Sequence, residues 1–189
     1  MKVFYRIRNR QTNTTTRRIK QNITYNVITG NTASFNNLSG ISLSTNSDEV
    51  LISNNDASNN EEHGIFVYGC TNVAIVSNTA NNNKMNGITL DTSDGNFIYS
   101  NTANGNVNGT NLLSSNNNII AGNTFLNNIY CYNETNSNNN LFYDNICTAP
   151  ITPSPGLDPF ILGLIIGLAI GLGALAAVVI LSLVRGRKE

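Results

Sequence analysis

The stretch that decides the fold is VAIVSNTANNNKMNGITL, residues 73 to 90. It is rich in asparagine, yet its aliphatic residues alternate with other side chains in two short groups, as in half-buried β-strands. The same arrangement recurs along the chain. Its clearest marker is an asparagine repeated at intervals of 24, 23, 23, 22 and 22 residues, at positions Asn31, Asn55, Asn78, Asn101, Asn123 and Asn145.

Apolar residues keep a constant distance from these asparagines. Three positions earlier stand Ile28, Ile52, Ile75, Ile98, Ile120 and Phe142. Two positions later stand Ala33, Ala57, Ala80, Ala103, Phe125 and Cys147. A Gly-Ile pair follows in each of the first three repeats, at residues 40–41, 64–65 and 87–88. The fourth repeat has Gly109-Thr110 instead, and we interpret the fifth as shortened, with Ile129 and Cys131 in the equivalent positions.

A period of this length is too short for a helical-hairpin repeat and suits one turn of a solenoid of short strands. The sequence therefore predicts an all-β fold, a right-handed parallel β-helix of about five to six coils over residues 26 to 147. At about 4.8 Å per coil the rod is ~25–30 Å long. We expect the isoleucine column inside, polar residues outside, and the repeated asparagines at left-handed corners, stacked amide to amide.

The unit formed by NNNIIAGNT, residues 116 to 124, and a later Gly-Ile-x-Leu resembles the repeats of right-handed parallel β-helix proteins grouped with NosD. Asn-rich versions that end in one transmembrane helix resemble surface proteins of archaea. The resemblance implies the fold and a surface location. NosD is associated with copper-site maturation, but a copper or zinc site needs several converging ligands. The chain has a single histidine, His63, which we expect to be exposed, so we predict no metal site and no cofactor.

The charged residues are strongly segregated. Seven of the eleven basic residues lie in the first twenty positions, three lie in the last five, and only Lys84 lies between them. The middle of the chain carries the acidic residues Asp48, Glu49, Asp56, Glu61, Glu62, Asp91, Asp94, Glu134 and Asp144. A nucleic-acid surface needs clustered Lys and Arg, so nucleic acid is excluded as a partner of the β-helix.

The end of the chain predicts a membrane anchor. Residues 160–184 carry no charge, and twenty-five helical residues exceed a hydrocarbon core of about 30 Å. The basic tail 185–189 then lies in the cytoplasm and the β-helix outside the cell, in a single-pass topology. Residues 148–159 contain all four prolines and form a linker. In the membrane segment, Gly163, Gly167 and Gly171 stand four apart on one helix face, a spacing that lets two such helices pair in a homo-oligomer.

The N-terminal segment, residues 1–25, is basic and contains at most a degenerate or truncated first coil. It lacks the apolar stretch of a signal peptide. Three explanations stay open: the start is wrongly placed, the chain is a fragment of a longer β-helix, or the C-terminal anchor alone directs export.

Catalysis is the alternative to binding, because polysaccharide lyases and hydrolases share this fold. Polygalacturonase-like enzymes use Asn-Thr-Asp, a paired Asp, His-Gly and Arg-Ile-Lys, in that order. Here Arg-Ile-Lys (18–20) precedes His63-Gly64, and the Asp pair is absent. Sugar hydrolysis needs two carboxylates facing one bond, whereas Asp48-Glu49 and Glu61-Glu62 are sequence neighbours that point to opposite faces of a strand. We therefore predict no catalytic residues.

Cysteines and glycosylation sequons complete the candidate sites. The three cysteines cannot all pair, and we interpret Cys131 and Cys147 as buried thiols and Cys70 as an exposed one. Five sequons occur, and Asn108 and Asn133 are the predicted glycan sites because we place them in irregular outward segments.

These features together favour a non-catalytic, membrane-anchored surface module. Its outward Asn, Ser and Thr ladders are expected to contact surface polysaccharide or other surface proteins. A purely structural envelope spacer and a fragment of a β-helix polysaccharide lyase or hydrolase are the alternatives.

Overall fold

The computed structural model of the chain describes residues 4–5, 18–20, 26–45 and 47–148. These residues form β-strands joined by short turns, and every strand pairing is parallel. The strands are β1 (Phe4–Tyr5), β2 (Arg18–Lys20), β3 (Val27–Thr29), β4 (Ile41–Ser44), β5 (Leu51–Ser53), β6 (Ile65–Tyr68), β7 (Ala74–Val76), β8 (Asn86–Asp91), β9 (Phe97–Tyr99), β10 (Asn108–Leu113), β11 (Ile119–Ala121), β12 (Thr124–Leu126), β13 (Tyr130–Thr135), β14 (Leu141–Tyr143) and β15 (Ile146–Thr148).

The strands stack into a parallel β-helix with three sides. One side is a seven-stranded sheet in the order β1-β3-β5-β7-β9-β11-β14, and the second is a six-stranded sheet in the order β2-β4-β6-β8-β10-β13. The third side consists of the pair β12–β15 and of parallel bridges that join Thr32, Asp56, Thr79, Thr102 and Thr124. Strands β1 and β2 pair with β3 and β4, so backbone pairing begins upstream of residue 26.

Several predicted features fall outside the described residues. They are most of segment 1–25, the linker after Thr148, the segment 160–184 with Gly163, Gly167 and Gly171, and the tail 185–189. In the part of the chain that the structure describes, no helix is long and apolar enough to cross a membrane.

The interior is a set of aliphatic columns. In the seven-stranded sheet Ile28, Ile52, Ile75, Ile98 and Ile120 lie directly above one another and are fully buried, and the partly buried Phe142 ends the column. The six-stranded sheet contributes Ile41, Ile65 and Ile88, and also Leu43, Val67, Leu90 and Leu112. The third side contributes Ala33, Ala57, Ala80, Ala103 and Phe125. These are the positions that the repeat assigns to the core.

The repeated asparagines form a buried ladder. In Asn31 both the backbone N–H and the side-chain amide donate to Oδ1 of Asn55, at 3.0 and 2.9 Å. The same pair of hydrogen bonds joins the remaining steps, from Asn55 through Asn78, Asn101 and Asn123 to Asn145. A second ladder runs through Asn36, Asn60, Asn83, Asn106 and Asn128. The ladder amides face the interior, so they hold the coils together and are not available to an external partner.

The left-handed backbone stands one residue earlier than predicted. At this corner the residues with positive φ are Gly30, Asn54, Ser77, Ser100, Gly122 and Asp144, each immediately before an asparagine of the first ladder. The ladder asparagine must aim its side chain inward to reach the next coil, so the preceding residue takes the turn. Asn, Ser, Asp and Gly occupy that preceding position, and all but Ser are the residues that enter this region at least cost.

The fifth coil is not shortened, which corrects the sequence interpretation. Strand β13 keeps the register of β10, with Asn108 opposite Tyr130 and Thr110 opposite Tyr132. Cys131 therefore lies in β13 opposite Gly109, where it packs against the core, and Glu134 takes the position opposite Leu112. There it forms a disulfide bridge with Cys147, with 5.7 Å between the two Cα atoms. The two cysteines are therefore bridged and are not buried thiols.

The core column gives a direct test of this arrangement. We expect Ile75→Asp to lower the free energy of unfolding by about 3–5 kcal/mol, because the carboxylate would be buried without a counter-charge. Denaturant unfolding of the full chain, followed by circular dichroism, measures the change.

Thr110→Val is the matched control for that variant. The Thr110 hydroxyl is buried in the same interior without a hydrogen-bond partner. Replacing it by a methyl group should leave stability unchanged or raise it by about 1 kcal/mol. Equal stability of Ile75→Asp and the unaltered chain would contradict the placement of Ile75.

Candidate functional site

The outer face of the six-stranded sheet carries the side chains best suited to recognise a ligand. Its outward positions form two rows along the helix axis. One row is Ser42, Phe66, Thr89, Asn111 and Asn133, and the other is Ser44, Tyr68, Asp91, Leu113 and Thr135. Ser42 and Thr89 are buried, and the remaining positions place hydroxyl, amide, carboxylate and aromatic groups side by side on adjacent coils.

Three rings form a ridge across this face, which we call the aromatic ridge: His63, Phe66 and Tyr68. The centroids of His63 and Phe66 are 5.3 Å apart and those of Phe66 and Tyr68 are 6.4 Å apart, with the rings nearly parallel in both pairs. Tyr68 is 42% exposed and ends the ridge at the solvent. Phe66 and Tyr68 lie on β6, and His63 lies two residues before this strand.

A chain of hydrogen bonds fixes the imidazole. The Nδ1 atom of His63 lies 3.2 Å from Oγ1 of Thr89. The same Oγ1 accepts a hydrogen bond from the side-chain amide of Asn86, whose Oδ1 in turn accepts one from the amide of Asn108. Because Thr89 already accepts from Asn86, its hydroxyl proton is free to donate to Nδ1. That assignment puts the imidazole proton on Nε2.

His63 is more buried than the sequence predicts, and burial lowers its pKa from the ordinary value of 6.5. Glu62 and Asp91 act in the opposite direction, but their effect is smaller than the cost of desolvating the charged ring. His63 is therefore neutral near pH 7.

The site offers few groups for chemistry beyond one neutral imidazole. In residues 26–45 and 47–148 the one basic side chain besides His63 is Lys84, which forms an ion pair with Glu61. Among the residues that the structure describes, no group of three or more His, Cys, Asp or Glu side chains could hold a metal ion. Ser39 donates to Oε2 of Glu62 at 3.2 Å, so that carboxylate is already engaged at the edge of the face.

Two other predicted sites are placed differently. Asn108 is buried at the start of β10, and its amide donates to Asn86, so a glycan cannot be attached to it in this fold. Asn133 is exposed on β13, and its side-chain amide donates a hydrogen bond to Oδ1 of Asn111. Cys70 is fully buried, and desolvation raises the pKa of its thiol to about 11. Sequence reasoning missed both burials because it placed these residues by local irregularity and not by coil register.

Comparison with known proteins agrees with the geometry. A family model described as a right-handed beta helix region matches residues 6–125. The solved structure of a point mutant of the periplasmic alginate epimerase AlgG matches with 32% identity and a TM-score of 0.65, covering 67% of this chain and 31% of that one. A double mutant of AlgG matches with 24% identity and a TM-score of 0.54, covering 56% and 26%. The chain thus spans about a third of the first of these, and no curated protein matches it.

The lowered pKa of His63 predicts a dependence of stability on pH. The unfolded chain takes up the histidine proton near pH 6.5, before the folded chain does. The contribution of His63 to stability is therefore complete above that pH and is lost as the pH falls through the lower, folded-state pKa. We expect the melting temperature to drop between pH 7 and pH 5, measured by thermal unfolding.

His63→Asn is the control for this prediction, since it removes the imidazole and keeps a polar side chain. The drop in melting temperature over the same pH interval should be smaller in that variant. An identical drop in both proteins would show that other groups cause it.

Proposed function

The chain belongs to the family of right-handed β-helix regions, and from that premise we propose that it is a membrane-anchored cell-surface module that binds neutral polysaccharide without cleaving it. The aromatic ridge and the two outward rows beside it form the binding surface. The supporting observation is the placement of three parallel rings among hydroxyl, amide and carboxylate groups of neighbouring coils. Rings offer flat apolar surface to the C–H face of a sugar, and the polar side chains match its hydroxyl groups.

The charge of this region favours a neutral glycan. Residues 26–45 and 47–148 contain nine acidic residues and, apart from His63, one basic residue, Lys84. A polyuronate carries a negative charge on every sugar, so this region would repel it over its whole length. A neutral chain meets no such penalty.

A carbohydrate-active enzyme is the second candidate function, because the AlgG structure is an alginate epimerase of 32% identity over 67% of this chain. Epimerising a uronate requires a base for the ring proton and a group that stabilises negative charge on the carboxylate. Neutral His63 suits the first role. In residues 26–45 and 47–148 the one cationic side chain that could supply the second is Lys84, and it forms an ion pair with Glu61.

The proposed binding is weak in a single copy. A regular solenoid face is flat, so each sugar buries little area against it, and little free energy remains after desolvation. Copies anchored side by side in a membrane present many such faces, and avidity raises the overall affinity without any new contact.

A double variant that carries both Phe66→Ala and Tyr68→Ala tests the binding surface. We compare the full chain as a detergent-solubilised monomer with streptavidin-clustered copies on an array of neutral and anionic glycans. The unaltered clusters should bind neutral glycans, and the double variant should lose about tenfold or more in apparent affinity, since it removes two stacking surfaces.

Phe35→Asn is the matched control, because Phe35 is 73% exposed and lies at a corner outside the six-stranded sheet. It should bind as the unaltered chain does. Absence of any clustered signal would favour a structural spacer. Release of unsaturated sugars or conversion of a uronate substrate by the full chain would establish the enzyme instead.

The proposed topology is tested with protease added to intact cells. The β-helix should be digested and the tail 185–189 protected, because basic residues flanking a membrane span stay in the cytoplasm. An epitope tag at each end of the chain reports the outcome, and permeabilised cells serve as the control. Protection of the β-helix would overturn the orientation.

A further inference from the structure

The outer face of the seven-stranded sheet is apolar, where the sequence predicts polar outward residues. Its two outward rows form what we call the strip. One row is Val27, Leu51, Ala74, Phe97, Ile119 and Leu141, and the other is Thr29, Ser53, Val76, Tyr99, Ala121 and Tyr143. Neither row contains a charged residue. Parallel sheets are usually covered on both faces, whereas several apolar side chains on the outer face of this sheet are exposed.

The projecting groups of the strip are concentrated in its last three coils. Tyr99 and Tyr143 are each 45% exposed, Ile119 is 37% exposed and Leu141 is 53% exposed. The ring of Phe97 stacks on that of Tyr99, with centroids 5.5 Å apart and planes 10° apart. One face of the Tyr99 ring is therefore supported from within the strip.

Tyr99 and Tyr143 occupy the same row two coils apart, with Ala121 between them. Ala121 is fully buried, so the two tyrosines are the projecting side chains of this part of the row. Two coil spacings amount to about 9.6 Å. That distance is close to the length of two sugar units in an extended β-1,4-linked chain, in which alternate units present the same face.

The size of the strip decides between a glycan and a second copy of the chain. Three strand residues span about 10 Å, and the six strands from β3 to β14 span ~25 Å, so the strip covers roughly 250 Å². A stable protein–protein interface needs about 800 Å² from each partner. The strip is too narrow for that, but its length and width match a single polysaccharide chain of roughly five units.

We propose that the strip binds one extended chain of neutral β-1,4-linked polysaccharide, laid parallel to the helix axis, with alternate sugars on Tyr99 and Tyr143. The absence of charge in both rows excludes electrostatic selection of an anionic chain. The apolar C–H faces of equatorially linked sugars match the aromatic and aliphatic side chains. This site is separate from the aromatic ridge, which lies on the other sheet and runs across the helix axis.

The test is titration calorimetry of the full chain in detergent with a β-1,4-linked glucose hexamer. The α-1,4-linked hexamer, which is curved, is the control ligand. We expect Tyr99→Ala or Tyr143→Ala to weaken binding of the β-linked hexamer about fivefold and the double variant more than either. Affinity should rise with oligomer length up to roughly five units and then level off, since the strip is ~25 Å long.

Each control variant or ligand separates the strip from another explanation of the binding. Phe35→Asn removes an exposed ring from a corner and should leave the affinity for the β-linked hexamer unchanged. The hexamer would be assigned to the ridge if the Phe66→Ala, Tyr68→Ala variant lost binding and the tyrosine variants of the strip did not. That result would overturn this proposal and leave the proposed function intact. Equal binding of the α-linked hexamer would also overturn it.

Self-association is measured on the same samples by sedimentation. If the Tyr99→Ala, Tyr143→Ala variant abolishes a dimer and leaves hexamer binding unchanged, the strip is an interface between copies and the glycan proposal is wrong. An unchanged sedimentation coefficient together with weakened hexamer binding supports the proposal.

Discussion

The structure depends on one constraint, the hydrogen bonding of backbone at the corners of each coil. At a corner the chain leaves one sheet before entering the next, so the strand ladder no longer satisfies every buried N–H group. The ladder asparagine fills this gap: its Oδ1 accepts the N–H of the equivalent residue one coil away, at 2.8 Å from Asn78 to Asn101. Its own amide donates to a second carbonyl, as Asn101 does to Ile75 at 2.8 Å. An orphaned buried group would cost about 1–3 kcal/mol, and the cost would recur in every coil.

This constraint explains the unusual composition. In the described residues, each inward corner residue is preceded by one in the left-handed region, and Asn, Ser, Asp and Gly dominate both positions. Serine plays the ladder role at another corner, where Ser115 accepts from the N–H of Ser93 at 3.0 Å, and Cys70 takes the equivalent place one coil earlier. The polar corner residues therefore have a structural role. A few aliphatic residues per coil are enough to fill the core, because each coil adds only a narrow layer to it. Only outward strand positions are free to differ between coils.

That division explains what the sequence could and could not predict. Ile75 and Asn78 repeat with the period, so their columns were predictable from spacing alone. Outward residues such as Tyr99 and Tyr143 do not recur in every coil, because nothing in the fold requires a given outward side chain. Both stand two positions before a ladder asparagine, so the period aligns them, and the register of β9, β11 and β14 agrees; the spacing does not show that their rings project from the surface. The error at Cys131 has the same origin: the spacing permits two alignments of the fifth coil, and the backbone pairing of β10 with β13 selects one of them.

The disulfide occupies a position that glycine takes in earlier coils. In three earlier coils a glycine faces a residue sixteen positions later across the interior: a Cβ on Gly64 would lie 2.7 Å from Cβ of Ala80, one on Gly87 would lie 2.5 Å from Cβ of Ala103, and one on Gly109 would lie 2.7 Å from Cδ1 of Phe125. The same sixteen-residue offset separates Cys131 from Cys147. The close approach that demands glycine elsewhere thus brings two cysteines within bonding distance in the last described coil. In the same coil the rings of Tyr132 and Phe142 stack at the end of the inward columns, with their centroids 4.2 Å apart. The covalent link holds this coil to itself, and because disulfides persist in oxidising compartments, it favours the extracellular placement proposed for the β-helix.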